Sequence, residues 1–238
     1  MTAPTDSWFL KYIKKCTDED LFYASFGKFV HKLIEKFYKN GLSSDDLVQL
    51  FLTNFSSEVK GERPSEIIVK NYINSGVNYF RNMKPFDYNM VAVEKRIDFD
   101  IEGIPFVGFI DFIGEKNGEY CIIDNKSRDL KPRSNRSKPT AKDKELDLML
   151  RQLYIYSAAI YKEYGKFPKT LCFNCFRTNK IIEEEFDIDT YRSTVDWVKS
   201  TVDELKNVDD FHPYIDYFMC KYLCGVHKEC CYAADFKF

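Results

Sequence analysis

Two aspartates and a lysine, Asp111, Asp124 and Lys126, end two apolar runs that a turn separates. The first run carries Val107, Phe109 and Ile110 and stops at Asp111; the second carries Tyr120, Cys121, Ile122 and Ile123 and stops at Asp124-Asn125-Lys126. Asn117-Gly118 between them is a strong short-range hairpin signal. A hairpin would set Asp111 beside Asp124 and Lys126 at one edge of a sheet. Carboxylates are hard oxygen ligands for Mg²⁺ or Mn²⁺, and a lysine places a cation near an attacking water and a phosphate. These are the parts for divalent-metal phosphodiester hydrolysis. Taken alone, three charged residues at strand ends are more often solvated surface.

The elements that must position this trio follow from periodicity. Phe22, Phe26, Phe29, Val30, Leu33, Ile34 and Phe37 recur at helical spacing, and His31 lies on that helix, which Asn40-Gly41 ends. Ser44-Asp45-Asp46 and Ser65-Glu66 open two more helices, to about residues 59 and 82, that carry no evident chemistry. Met90 to Ile101 alternates as a first strand; Glu94, Arg96, Asp98 and Asp100 share its other face, and Glu94, within reach of the site, reads rather as an exposed strand carboxylate. Glu102-Gly103 turns into the Asp111 strand, and the Asp124 strand completes a meander. Leu146 to Tyr164 is helical, with Gln152 and Tyr156 four apart on one face. A second hairpin, Thr170 to Thr178 and Lys180 to Phe186, closes the sheet. Its Cys172 and Cys175, three apart on a strand, point to opposite faces as buried or edge thiols. Asp189 to Lys206 is the last long helix.

Between Lys126 and Lys144 stand eight basic residues against two acidic ones, with two prolines and no apolar periodicity. This reads as a mobile loop. Arg128, Lys131, Arg133, Arg136 and Lys138, just past the lysine of the trio, suit a clamp on a phosphate backbone.

Four short motifs occur in order: Gly27-Lys-Phe-Val-His31, Gly108-Phe-Ile-Asp111, Ile123-Asp124-Asn125-Lys126-Ser127 and Gln152-Leu-Tyr-Ile-Tyr156. Together they resemble the motif series of the PD-(D/E)xK nucleases, specifically the RecB-like branch with its CRISPR-associated adaptation exonucleases. The resemblance runs from about Cys16 to Cys230. It implies an α/β fold: a restriction-endonuclease-like core with a mixed, mainly antiparallel sheet flanked by helices. It also implies a metal-dependent DNA exonuclease acting on single-stranded or frayed ends. His31, Asp111, Asp124 and the Asn125 carbonyl would hold one or two Mg²⁺ or Mn²⁺ ions, and Lys126 would orient or activate the attacking water. Gln152 would hydrogen-bond a base or phosphate, and Tyr156 would stack on an unpaired base. The competing reading is a non-catalytic DNA-binding module. A third makes the chain a partner-gated subunit of a recombination, repair or CRISPR-adaptation complex, with any helicase on another chain.

The tail reads Cys220-Lys-Tyr-Leu-Cys224-Gly-Val-His227-Lys-Glu-Cys230-Cys231. The same resemblance implies a [4Fe–4S] cluster on Cys16, Cys220, Cys224 and Cys230, stapling the two ends of the chain. Cys220-x-x-x-Cys224 departs from the usual C-x-x-C, so Cys231 stands as an alternative to Cys230. A Zn²⁺ site with His227 or His212, or plain thiols, are the other readings. At 238 residues, with 21 Phe and 16 Tyr, the chain supports one nuclease domain over 1–238, with a helical part over 8–84, a sheet core over 88–187, and a last helix and tail over 189–238. A net charge of −2 argues against an all-round basic coat but not against a local basic groove. No apolar run reaches transmembrane length and no signal-peptide core is evident, so a cytoplasmic protein with no membrane partner and reduced cysteines is expected.

Overall fold

The computed structural model describes residues 6–207 and 216–232. A short turn, α1 (Asp6–Trp8), runs into a π-helical turn (Phe9–Ile13) ahead of three helices, α2 (Phe22–Asn40), α3 (Ser44–Glu58) and α4 (Glu66–Asn82). Strands β1 (Asn89–Ile101), β2 (Ile104–Lys116) and β3 (Glu119–Lys126) follow. The long helix α5 (Ala141–Tyr164) leads to β4 (Thr170–Cys175), β5 (Lys180–Glu185), α6 (Ile188–Lys206) and α7 (Tyr217–Leu223).

The sheet is mixed, with strand order β1-β2-β3-β4-β5. Only β3 and β4 are parallel, because α5 carries the chain over one face between them; the other pairs are antiparallel. The β2–β3 turn has Asn117 and Gly118 both at positive φ, 56° and 79°, the backbone of a type I′ hairpin. Asp111 does not end its strand. Strand β2 runs five residues past it to Lys116, and the register Phe112 to Ile123 sets Asp111 level with Asp124.

Helix caps explain where the helices begin and stop. Ser43 with Asp46, and Thr140 with Asp143, form reciprocal capping boxes for α3 and α5. Gly41 and Gly165 close α2 and α5 in the left-handed conformation. The Thr140 box starts α5 five residues before the apolar pattern at Leu146 does.

Both faces of the sheet are covered. Ile97, Ile110, Ile122, Leu171 and Phe173 pack against Leu146, Leu150 and Leu153 of α5. On the other face Val93, Phe112, Cys121, Ile123 and Cys172 lie under Tyr38 of α2 and Phe86. Cys172 and Cys175 are buried in these opposite layers, as their spacing requires. A third core of Phe22, Phe26, Phe29, Phe51, Phe55 and Phe80 welds α2, α3 and α4 together. Each such ring removed from water contributes about 2–3 kcal/mol. That rigidity holds His31 in place from a helix remote in sequence from the sheet. Among the described residues no helix is long and apolar enough to cross a membrane.

Candidate active site

Asp111 and Asp124 are 8% and 5% exposed, and Asn125 is 3% exposed, so this end of the β2–β3 ribbon is buried although it carries two carboxylates. The Asn125 backbone N–H donates to Asp111 Oδ2 at 2.6 Å, which locks the two strands at the site. From α2, His31 Nε2 donates to the Asn125 carbonyl at 2.9 Å, while Nδ1 lies 3.5 Å from Asp111 and 3.6 Å from Glu94. Phe176 packs edge-on against the imidazole at 6.2 Å and fixes its plane. With both nitrogens facing oxygen, the ring is held as an imidazolium. Burial would lower its pKa, but the Asp111 and Glu94 carboxylates outweigh burial and raise it to about 10.

Glu94 corrects the sequence expectation. It is not an exposed strand carboxylate: its side chain is 24% exposed and turned into the site. A left-handed residue at φ 47° kinks β1 at this point and redirects the side chain. The signal was available in the turn. Ile101 pairs with Ile104, and counting seven residues back and seven forward places Glu94 opposite Asp111.

His31, Glu94 and Asp111 offer ligand atoms within 4.8 Å of one another, the only such group of His, Cys, Asp or Glu among the described residues. The Asn125 carbonyl faces the same histidine. Asp124 is drawn the other way, with Oδ2 2.7 Å from Lys126 Nζ. Apart from that ion pair the buried oxygen has no partner. Burial raises the pKa of Asp124, Lys126 opposes that, and nearby Asp111 adds to it. Three carboxylates, a carbonyl and one imidazole around a small volume are the donor set of a hard divalent cation. The residues fit such an ion.

Lys126 Nζ also donates to Gln152 Oε1 at 2.8 Å, and Gln152 Nε2 donates to Tyr156 at 2.9 Å. The pair four apart on α5 therefore forms a chain that aims the lysine. Gly108 makes room for it: a Cβ there would lie 2.9 Å from the Tyr156 ring. A second buried chain holds Asn125 from behind. Asn174 Nδ2 donates to Asn125 Oδ1 at 2.7 Å, and the same amide group donates to Tyr79 of α4 at 2.7 Å. Sequence reading missed Asn174; a polar residue inside the apolar run Leu171-Cys-Phe-Asn174-Cys was its only signal.

The basic loop is tied down rather than loose. Arg128 pairs with Glu145, Lys131 with Asp129, and Arg133 with both Asp147 and Glu184. Asp143 accepts from the backbone and hydroxyl of both Ser134 and Thr140, closing the segment that presents Arg136 and Lys138. Neither of those two makes an ion pair among the described residues. Exposed ion pairs are weak, so phosphates can displace the loop's carboxylate partners.

None of the eight cysteines is in a disulfide, and Cys16, Cys220, Cys224 and Cys230 are each partly buried. The segment before α2 and the segment after α7 do meet. Glu19 N–H donates to the Gly225 carbonyl at 2.8 Å, Lys228 pairs with Glu19 at 2.6 Å, and Trp8, Lys11, Asp18 and Cys224 line one pocket. His227 Nδ1 is 2.8 Å from the Cys224 carbonyl. His212 lies outside the described residues.

A family profile described as "PD-(D/E)XK nuclease superfamily" matches residues 6–231. No curated protein matches the sequence. The crystal structure of a proposed exonuclease from Eubacterium rectale superposes with a TM-score of 0.52 at 12% identity, covering 88% of this chain and 77% of that one, which is a likeness of fold. A second solved structure, SSO0001, covers 94% of this chain and 91% of its own at 15% identity, but its TM-score of 0.31 carries no argument. With the profile spanning nearly the whole sequence, and with the aspartates, the lysine and the mixed sheet where such a site needs them, the chain belongs to the PD-(D/E)XK nuclease superfamily.

Proposed function

We propose that the chain hydrolyses phosphodiester bonds of DNA, working as an exonuclease on single-stranded or frayed ends with Mg²⁺ or Mn²⁺. The observation that carries this reading is the convergence of Asp111, Asp124 and Lys126 with His31 and Glu94 from two other elements. His31, Glu94, Asp111, Asp124 and the Asn125 carbonyl would hold the metal. When bound, a divalent ion polarises the phosphoryl oxygen and lowers the pKa of a coordinated water. Lys126, freed from Asp124, keeps its ammonium toward the attacking water and offsets negative charge growing on the phosphate. Gln152 and Tyr156 hold that ammonium in line. Arg136 and Lys138, together with Arg128, Lys131 and Arg133 once their carboxylates yield, grip the backbone of the strand.

The same proposal gives the tail a [4Fe–4S] cluster on Cys16, Cys220, Cys224 and Cys230, supported by the meeting of the Cys16 segment with the Leu223–Val226 turn. Thiolates suit that cluster, whose chemistry here is structural. A helicase or an adaptation complex would supply unwound ends. The test is degradation of labelled single- and double-stranded DNA with Mn²⁺ or Mg²⁺ by the parent and Lys126→Ala. Cleavage lost with the lysine or with chelator supports the reading; cleavage that survives Lys126→Ala refutes the site. An anaerobic preparation without visible absorption would remove the cluster.

A further inference from the structure

Arg177 stands two residues past the end of β4, and its neighbour Phe176 donates its N–H to the Lys126 carbonyl at 3.1 Å. The guanidinium therefore sits at the same sheet edge as the lysine of the site. Its Nη1 reaches the Ser127 carbonyl at 3.4 Å and the Tyr72 hydroxyl at 2.9 Å. Its Cζ stacks 4.1 Å over the Tyr72 ring. Both oxygens are neutral. The Nε–H is buried with no hydrogen-bond partner. No carboxylate pairs with Arg177 among the described residues; Arg63, Arg81 and Arg136 also lack one but are exposed, whereas Arg177 and Arg151 are partly buried.

A half-buried cation without an anion is expensive to keep, because buried charges are normally paired. Stacking on Tyr72 offsets part of that cost and holds the planar fork in one orientation. The fork is held rigidly against Ser127, the residue after the Lys126 strand, and its Nη2, neither buried nor bonded to a described residue, leaves donors for an oxyanion. We infer that Arg177 binds a backbone phosphate of the single-stranded DNA next to the one being cleaved. Tyr23, whose ring lies 5.3 Å from that of Tyr72, continues the surface toward α7 through contacts with Phe218 and Tyr222. This inference rests on the proposed nuclease reading and names a contact that reading does not require.

The test is binding of a fluorescent single-stranded oligonucleotide in EDTA across a salt series, with cleavage measured in parallel. One phosphate contact to a single strand contributes about 0.7 to the slope of log K against log salt. Arg177→Gln should lower the slope by about 0.7, weaken binding roughly tenfold at low salt, and raise KM with kcat nearly unchanged. Arg177→Lys should keep the slope, and so should Tyr72→Phe, which retains the ring. A merely structural arginine would shift the melting temperature and leave slope and KM alone; that result overturns the inference while the nuclease reading stands. Should Arg177→Gln not fold, phenylglyoxal labelling of the parent decides: the oligonucleotide must protect Arg177, and labelling unaffected by DNA refutes the contact. A parent that binds DNA through Arg177 without cleaving it upholds the contact and sinks the catalytic reading. A parent that neither binds nor cleaves sinks both.

Discussion

With His31 as a ligand, as proposed, loading the site with metal must expel its proton, and that makes a quantitative prediction. The Asp111 and Glu94 carboxylates, 3.5 and 3.6 Å from Nδ1, hold the imidazolium to about pH 10 in the metal-free protein. A metal needs the neutral ring. At pH 7 the ring sits about three pH units below its pKa, which costs about 4 kcal/mol of metal affinity at 1.36 kcal/mol per unit. Apparent affinity should therefore rise tenfold per pH unit between about pH 6.5 and 9. Below that window the dependence should steepen, because burial favours the protonated form of Asp124 as well. Titration calorimetry with Mn²⁺ at pH 7.5, in buffers of different ionisation enthalpy, should report one proton released per ion. His31→Gln should release none. Stability without metal runs the opposite way. A folded-state pKa raised above the unfolded 6.5 adds stability below pH 6.5 that fades as pH climbs toward 10. With chelator the melting temperature should fall over that range; with saturating Mn²⁺ it should not. A parent that binds Mn²⁺ with no proton release would refute His31 as a ligand.

Three further outcomes follow from neighbouring contacts. Asn174→Ala strands Asn125 Oδ1 and the Tyr79 hydroxyl in the core, at about 1–3 kcal/mol each. At 2–4 °C per kcal/mol for a chain of this size, melting should drop by roughly 4–24 °C, and a shift under about 2 °C would contradict a working buried chain. Glu94→Gln should lower the melting temperature of the metal-free protein, since the imidazolium loses one of its two carboxylates, and weaken Mn²⁺ binding on the order of tenfold or more, read by the same calorimetry; unchanged affinity would return Glu94 to an ordinary surface carboxylate. Four hydrogen bonds from Ser134 and Thr140 hold the Asp143 carboxyl well below the usual carboxylate range, so its contribution is present above that range and disappears as pH falls through and below it. Asp143→Ala should speed hydrogen exchange of the 134–140 amides at neutral pH, and parent-like protection there would count against the closed loop.

The hairpin of β2 and β3 was legible because Asn117-Gly118 leaves few alternatives between two strand-like runs, and it carried Asp111 and Asp124 together with it. Helices α2 to α6 were legible from apolar spacing, Gly41 and the acidic starts. The parallel pairing of β3 with β4 was not, since nothing local in Thr170–Cys175 says which strand lies beside it. Glu94 was misplaced because alternation describes a regular strand, and the left-handed kink at that residue breaks the rule where the site needs it broken. Loop cations were legible as charge, but the carboxylates that hold Arg128 and Arg133 sit on α5 and β5, outside the loop. Arg177 and Asn174 gave little signal, because what distinguishes them is the company they keep after folding.

The hydrogen bond from Glu19 to Gly225 joins residues more than two hundred positions apart. Closing a loop of that length costs roughly 5 kcal/mol in chain entropy, and during synthesis the contact cannot form before Gly225 has emerged. The sheet and the phenylalanine-rich helices therefore have to stand without it, and the junction of the ends behaves as a late, separately opening unit. Damage at that junction should surface first as rapid amide exchange in the Phe9–Asp18 segment, long before the body of the protein melts.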